Sequence, residues 1–285
     1  MTPDGTEPAR AAETPAPAGR TAADPTPAAP LRRLEWAPFV GVWTREFTLF
    51  RRFWASTTFS SIVEPTIYLL AFGFGVGALV STVNGIPYIE FVGTGTVATA
   101  VLFASVFAGM FTTFVRRTYQ HTYDGILSTP VDVHEVVLAE ASWIAAKAGV
   151  YGCAPLLVAM AFGLPPSWGM LAVPFIGLLT GFGFALFGMW MSGVVKTIDA
   201  FSYVTSAVIT PLFLLAGTFF PLSSLPPWAQ TLAQVNPLYH CVSLVRQAAF
   251  GWQWPQLGWD VLALMVFAAL MAWLAVRTLR GKLID

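Results

Sequence analysis

The chain has 285 residues, 56% of them hydrophobic and only 11% charged, with a formal net charge of zero. A soluble domain carries about 25% charged residues, so composition excludes an ordinary globular protein, and without a basic excess nothing points to nucleic acid. Its two cysteines, Cys153 and Cys241, sit on different segments with no metal-ligand spacing around either, which argues against a disulfide or a zinc site.

Residues 1–30 are Ala, Pro, Thr and Gly with scattered charges and no apolar signal core. They cannot bury enough apolar surface to fold and are expected to form a disordered cytoplasmic tail. Residues 31–60 carry Phe39, Trp43, Phe47, Phe50 and Trp54 at spacings of four, four, three and four, which is one helical face. Thr44, Arg45, Thr48, Arg51 and Arg52 fall largely off that stripe. The pattern predicts an amphipathic helix in the plane of the lipid headgroups.

Residues 61–283 hold six apolar runs, at about 62–80, 91–115, 148–164, 171–195, 200–220 and 257–276. Each is near the roughly 20 residues that a helix needs to cross a hydrocarbon core. Threaded alternately, they put fourteen of the fifteen Lys and Arg residues on one side and leave Arg246 alone on the other. The positive-inside bias then places both termini in the cytoplasm of a multi-pass plasma-membrane protein. The predicted fold class is all-α, with six transmembrane helices.

In the first run, Pro65 suits a first turn or a kink. Gly73-x-x-x-Gly77 and Gly177-x-x-x-Gly181 are small-residue patterns that let helices approach, most simply within the chain. After the second run, about Arg117 to Leu127 predicts a short helix facing the cytoplasm. Thr129, Pro130 and Asp132 then read as a helix start, with a hydroxyl cap, Pro at the first position and an acid at the third. Between the fifth and sixth runs, Pro227–Val235 and Leu238–Phe250 are amphipathic and too short to span. Trp228, Tyr239, Trp252, Trp254 and Trp259 crowd this segment as at a membrane interface. The two stretches, separated by Asn236-Pro237, predict re-entrant half-helices dipping into the outer leaflet.

Catalytic signatures are missing. No P-loop occurs, since Gly281-Lys282 is followed by Leu283. His134-Glu135 begins a zinc-protease pattern, but Leu138 stands where the second His belongs. There is no G-x-S-x-G elbow. Glu64, Glu90, Asp199 and Asp260 fall near the ends of runs, which leaves little basis for a carboxylate relay at mid-membrane.

A basic amphipathic helix precedes six spans, a loop reads Tyr123-Asp124-Gly125-Ile126-Leu127-Ser128-Thr129-Pro130, and a late segment carries Asn236-Pro237-Leu238-Tyr239-His240 and Arg246 to Gly251. In this order they resemble the ABC-2 type (type V) exporter permeases over about residues 34 to 283. The late segment looks most like the nodulation lipo-chitooligosaccharide and daunorubicin-type drug exporter permeases. The resemblance implies a transport subunit rather than an enzyme, with no cofactor in this chain and ATP and Mg on a partner ABC ATPase. It implies two ATPase copies and a second permease copy, as a homodimer. Tyr123, Asp124, Gly125, Ile126, Leu127, Thr129 and Pro130 would couple to the ATPase, and the 31–60 helix would connect beside them. Asn236, Pro237, Tyr239, His240 and Arg246 would belong to an exoplasmic gate. The cargo would be an amphipathic lipid-linked glycan, lipo-oligosaccharide or lipid moved outward, with a drug as the alternative. Phe103, Phe107, Phe111, Phe213 and Phe219 would line its path, although facing lipid is the simpler role for such rings. A reading of another class, a membrane glycan- or acyl-modifying enzyme or an assembly factor, needs convergent polar residues at one leaflet, and the sequence displays none.

Overall fold

The computed structural model describes residues 36–283. The tail expected at 1–30 lies outside them, as do Arg32 and Arg33. Helix α1 (Trp36–Gly75) runs 40 residues without a break. The separate interfacial helix and first span expected from the sequence are therefore one rod. Residues 55–61 contain neither Gly nor Pro, so nothing interrupts the backbone ladder, and Pro65 is carried inside the helix. The aromatic stripe finds a protein partner. The rings of Trp43, Phe47 and Phe50 surround Trp143 at centroid distances of 5.3, 6.2 and 6.1 Å.

A short antiparallel ribbon follows, β1 (Thr82–Val83) and β2 (Ile86–Pro87). Its turn residues Asn84 and Gly85 both take positive φ, 52° and 80°. Asn-Gly favours this two-residue hairpin because both positions need φ above zero. Apart from this ribbon the described residues are nearly all helical, in line with the all-α expectation.

The remaining helices are α2 (Tyr88–Thr118), α3 (Thr122–Leu127), α4 (Val133–Ala161), α5 (Trp168–Val194), α6 (Ile198–Leu214), α7 (Pro227–Val235), α8 (Pro237–Phe250) and α9 (Trp254–Leu283). Among the described residues, α2, α4, α5 and α9 are long and apolar enough to cross a membrane. The apolar stretches Ile62–Gly75 in α1 and Ile198–Leu214 are shorter. The run expected at 200–220 stops being helical at Leu214, and Gly217 then turns at a φ of 77°. Both α2 and α6 pass through a π turn, at Ala108–Thr112 and Thr205–Ile209.

The start of α4 also differs from expectation. Asp132, not Thr129, is the cap. Its backbone N–H donates to Glu135 Oε2 at 3.1 Å in a reciprocal capping box. That box satisfies two orphan donors at once, where a lone hydroxyl satisfies one. Thr129 instead donates its hydroxyl to the Ile126 carbonyl at 2.6 Å, closing the end of α3.

Glycines set how closely the long helices approach. A Cβ on Gly188 of α5 would lie 2.5 Å from the Val106 carbonyl oxygen of α2. One on Gly177 would lie 2.9 Å from Cα of Gly149 in α4. The small-residue pattern of α5 therefore serves contacts inside the chain, as in membrane bundles generally. Helix α8 is buried against this core through Leu238, Cys241, Val242, Leu244 and Val245, whereas α7 buries only Ala229 and Ala233.

Candidate functional site

Three features stand out: a charged cluster at one end of the bundle, a polar cluster at the other, and an aromatic seam between them.

The charged cluster joins three helices. Arg45 and Glu46 come from α1, Arg116 from the end of α2 and Glu140 from the second turn of α4. Arg116 Nη1 lies 2.7 Å from Glu46 Oε1 and 3.0 Å from Glu140 Oε1, and Arg45 pairs with both acids. Tyr123 of α3 donates its hydroxyl to Glu140 Oε2 at 2.6 Å. Two guanidiniums and two carboxylates balance, which a buried ionic group requires. Burial pushes the Glu46 carboxyl up, but Arg116 and Arg45 pull it down further, so it rests below its ordinary range. Burial, with the Glu140 carboxylate next, holds the Tyr123 hydroxyl well above the usual tyrosine range.

Helix α3 is thus pinned from beneath by Tyr123. Of the residues expected to couple to a partner, Asp124, Gly125, Thr129 and Pro130 are exposed, and Ile126 and Leu127 are half-buried. Leu127 packs on the core formed by Val133, Val137 and their neighbours. Asp124 accepts from, or pairs with, the His121 ring at 3.0 Å.

At the opposite end Asp260 of α9 is fully buried. Its Oδ1 lies 2.7 Å from His240 Nδ1 and accepts from Gln256 at 3.0 Å; its Oδ2 accepts from Ser243 at 2.6 Å and Gln247 at 2.9 Å. His240 Nε2 meets the Gln234 carbonyl at 2.9 Å, so the cluster ties α7 and α8 to α9. Ser, His and Asp meet here without forming a hydrolytic triad. The serine bonds the acid, not the imidazole, and the second ring nitrogen is already engaged by a backbone carbonyl. Asn236 caps α8 by accepting from the Leu238 N–H at 2.9 Å, and donates to the Leu212 carbonyl at 2.6 Å, linking α8 to α6. Pro237 occupies the first turn of α8, where its missing N–H costs nothing. Tyr239 stacks edgewise on His240 at 5.3 Å. Arg246 lies over the Phe91 ring, 3.8 Å from its centroid.

The five phenylalanines singled out in the sequence form one connected seam. Phe103 touches Phe107 at 5.6 Å and Phe213 at 5.5 Å; Phe107 touches Phe111 at 6.1 Å, and Phe213 touches Phe219 at 5.4 Å. Phe201 and Phe72, which the sequence did not single out, extend it at its two ends. A hollow of about 520 Å³ opens beside Phe107, Phe111 and Phe201, rimmed by Asp199, Ser202, Thr205 and Ser206.

Both polar clusters escaped the sequence. Glu46 and Glu140 are isolated acids there, and their pairing depends on helices far apart in the chain. The second cluster left a trace: His240, Ser243 and Gln247 recur at intervals of three and four, a polar stripe on one face of α8.

Residues 38–250 match the family model described as ABC-2 type transporter. The chain belongs to the ABC-2 type transporter family. Nodulation protein J of Sinorhizobium fredii (strain NBRC 101917 / NGR234) is 33% identical over 249 residues, 87% of this chain and 94% of that protein. Nodulation protein J of Rhizobium leguminosarum bv. trifolii is 32% identical over 262 residues, 92% and 98% of the two chains. The inner membrane transport permease YadH of Escherichia coli (strain K12) is 27% identical over 225 residues, 78% and 86%. The family match spans the charged cluster, the seam and α8. This ABC-2 protein is accordingly a polytopic transport permease, of a class that works with ABC ATPase subunits.

Proposed function

We propose that this chain is the membrane half of an ABC exporter of the bacterial inner membrane. It would span six times, with both termini and α3 in the cytoplasm and α7–α8 at the outer face. Two copies would pair, each seated on one of two ATPase subunits that bind ATP and Mg. The cargo would be an amphipathic lipid-linked glycan, lipo-oligosaccharide or lipid, carried outward along the seam from the hollow near Phe111 towards Phe219. Rings suit acyl or sugar faces better than an ion, which would need fixed polar ligands along the path.

One observation carries the reading. Helix α3 presents Asp124 and Gly125 outward while its Tyr123 is bonded into a charged cluster that also holds α1, α2 and α4. A push on α3 would therefore reach three helices through bonds to charged groups, each stronger than a neutral contact. The test is a reconstituted permease–ATPase complex carrying Asp124→Lys together with Leu127→Ala. ATPase stimulation by the permease and cargo transport should both fall severalfold while the permease still folds. Unchanged coupling in that variant would remove α3 from the ATPase contact.

A further inference from the structure

Arg246 of α8 holds a half-buried cation on few bonds. Its Nη2 donates to the Gly217 carbonyl at 2.7 Å and reaches the Phe91 carbonyl only at 3.5 Å. Its Nε is buried with no acceptor, and its Nη1 bonds nothing among the described residues. No carboxylate pairs with it among those residues. The acid that α8 does engage, Asp260, is already saturated by His240, Ser243, Gln247 and Gln256.

A guanidinium has five N–H donors in a rigid fork. Bracing the turn at Gly217 uses Nη2 and leaves three donors, on Nε and Nη1, unused. Resting on the Phe91 ring favours a cation but neutralises none of its charge. A half-buried charge without a counterion is costly, so a brace alone does not explain why arginine stands here. The surroundings indicate depth. Trp228, Trp254 and Trp259 on the flanking segments are all largely exposed, the pattern of an interfacial belt at headgroup level. The abundant oxyanion at that level is phosphate, whose geometry the guanidinium fork matches.

We propose that Arg246 is an anion-binding residue, holding a phosphate-type oxyanion between α8, the start of α2 and the turn around Gly217. Two sources share that chemistry, a phospholipid headgroup and free phosphate. The inference goes beyond the exporter reading and needs only that the α8 end lies at a bilayer surface. Its test reads binding rather than transport, so its failure would leave the exporter reading untouched.

The experiment uses the purified full chain in a non-ionic detergent, titrated separately with short-chain phosphatidylglycerol and with inorganic phosphate. Binding is followed by native mass spectrometry and by the thermal midpoint from tryptophan fluorescence. Arg246→Gln should weaken binding about tenfold or more, the loss expected for a charge-assisted hydrogen-bonded pair. Arg246→Lys should recover part of it, because it keeps the charge but not the fork. A response to both probes assigns the site to the bare oxyanion, and a response to the lipid alone assigns it to a headgroup held with its chains. Equal binding by the wild type and the Gln variant, or no binding of either probe to the wild type, overturns the proposal. Should the Gln variant not fold, Phe91→Leu, which removes the shelf beneath the guanidinium, is expected to weaken the same binding, and an unchanged affinity there also overturns it.

Discussion

Glu46 shows why single residues in this chain are hard to weigh from sequence. In the sequence it is an isolated acid at the edge of the aromatic stripe of α1, three residues after Trp43 and four before Phe50, with nothing nearby to name its partner. In the fold it is buried, with Arg116 2.7 Å from its Oε1 and Arg45 at 2.6 Å. Arg116 is 70 positions away in the chain, and no local pattern encodes that distance. The energetic consequence is specific. Removing one partner of a buried ion pair costs about 3–5 kcal/mol, because the other charges stay buried and uncompensated. The ordinary carboxyl value is 4.5, and that of Glu46 lies below it, burial pushing up and the two arginines pulling down further. A depressed carboxyl contributes stability that is complete above the unfolded value and is lost as pH falls through the lower folded one. The thermal midpoint of the wild type should therefore decline on acidification below about pH 4.5, the ordinary value. Glu46→Gln should start about 3–5 kcal/mol less stable at neutral pH and show a smaller acid decline. Identical pH profiles for the two proteins would show that Glu46 is not held by the arginines.

At the scale of elements, the apolar runs located every long helix, because about 20 apolar residues in a row have few other structural solutions. Joints between helices were less legible. Continuity of α1 through Pro65 depends on flanking turns that tolerate one lost hydrogen bond, and the capping box at Asp132 prevailed over a plausible hydroxyl cap. The Asn84-Gly85 turn carries a short-range hairpin signature in the linker between two runs, which the helix-only expectation passed over. Helix spacing is set by glycines whose role emerges only in three dimensions. Gly188 faces the Val106 carbonyl so closely that any Cβ would force α2 and α5 apart, while Gly41 of α1 has nothing within 4 Å of such a Cβ. Gly188→Val should cost about 3 kcal/mol or more, as overpacking against backbone does. Gly41→Ala should gain about 0.5–1 kcal/mol from helix propensity alone. Thermal midpoints of both variants in one detergent check the contrast. Equal shifts would mean that the α2–α5 contact is looser than its geometry implies.

For the molecule as a whole, the sequence supplies an orientation that helix packing by itself does not. If the six runs thread alternately, fourteen of fifteen basic residues lie on one side, the side of the charged cluster of Arg45 and Arg116. Arg246 falls at the other, beside the short helices α7 and α8. The orientation is testable at the tip of α7. The native thiols are poor reporters: Cys241 is fully buried and Cys153 half-buried in α4. Val235, at the end of α7, is 76% exposed, and its replacement disturbs no core contact. A single Val235→Cys in a chain with Cys153→Ser and Cys241→Ala should react with a membrane-impermeant maleimide in intact spheroplasts. A second thiol placed at Asp124, exposed on α3, should react only in inverted vesicles. The positive-inside bias acts on basic residues near span ends, and Arg116 and Arg117 in the last turn of α2 and Lys196 between α5 and α6 all lie there. Both labels therefore follow from one physical cause, and they must change together. Reaction of the Val235 site only in inverted vesicles would reverse the thread and remove α3 from reach of a cytoplasmic ATPase. Reaction of both sites from the same face would instead mean that α6, the shorter apolar helix between them, does not cross the membrane.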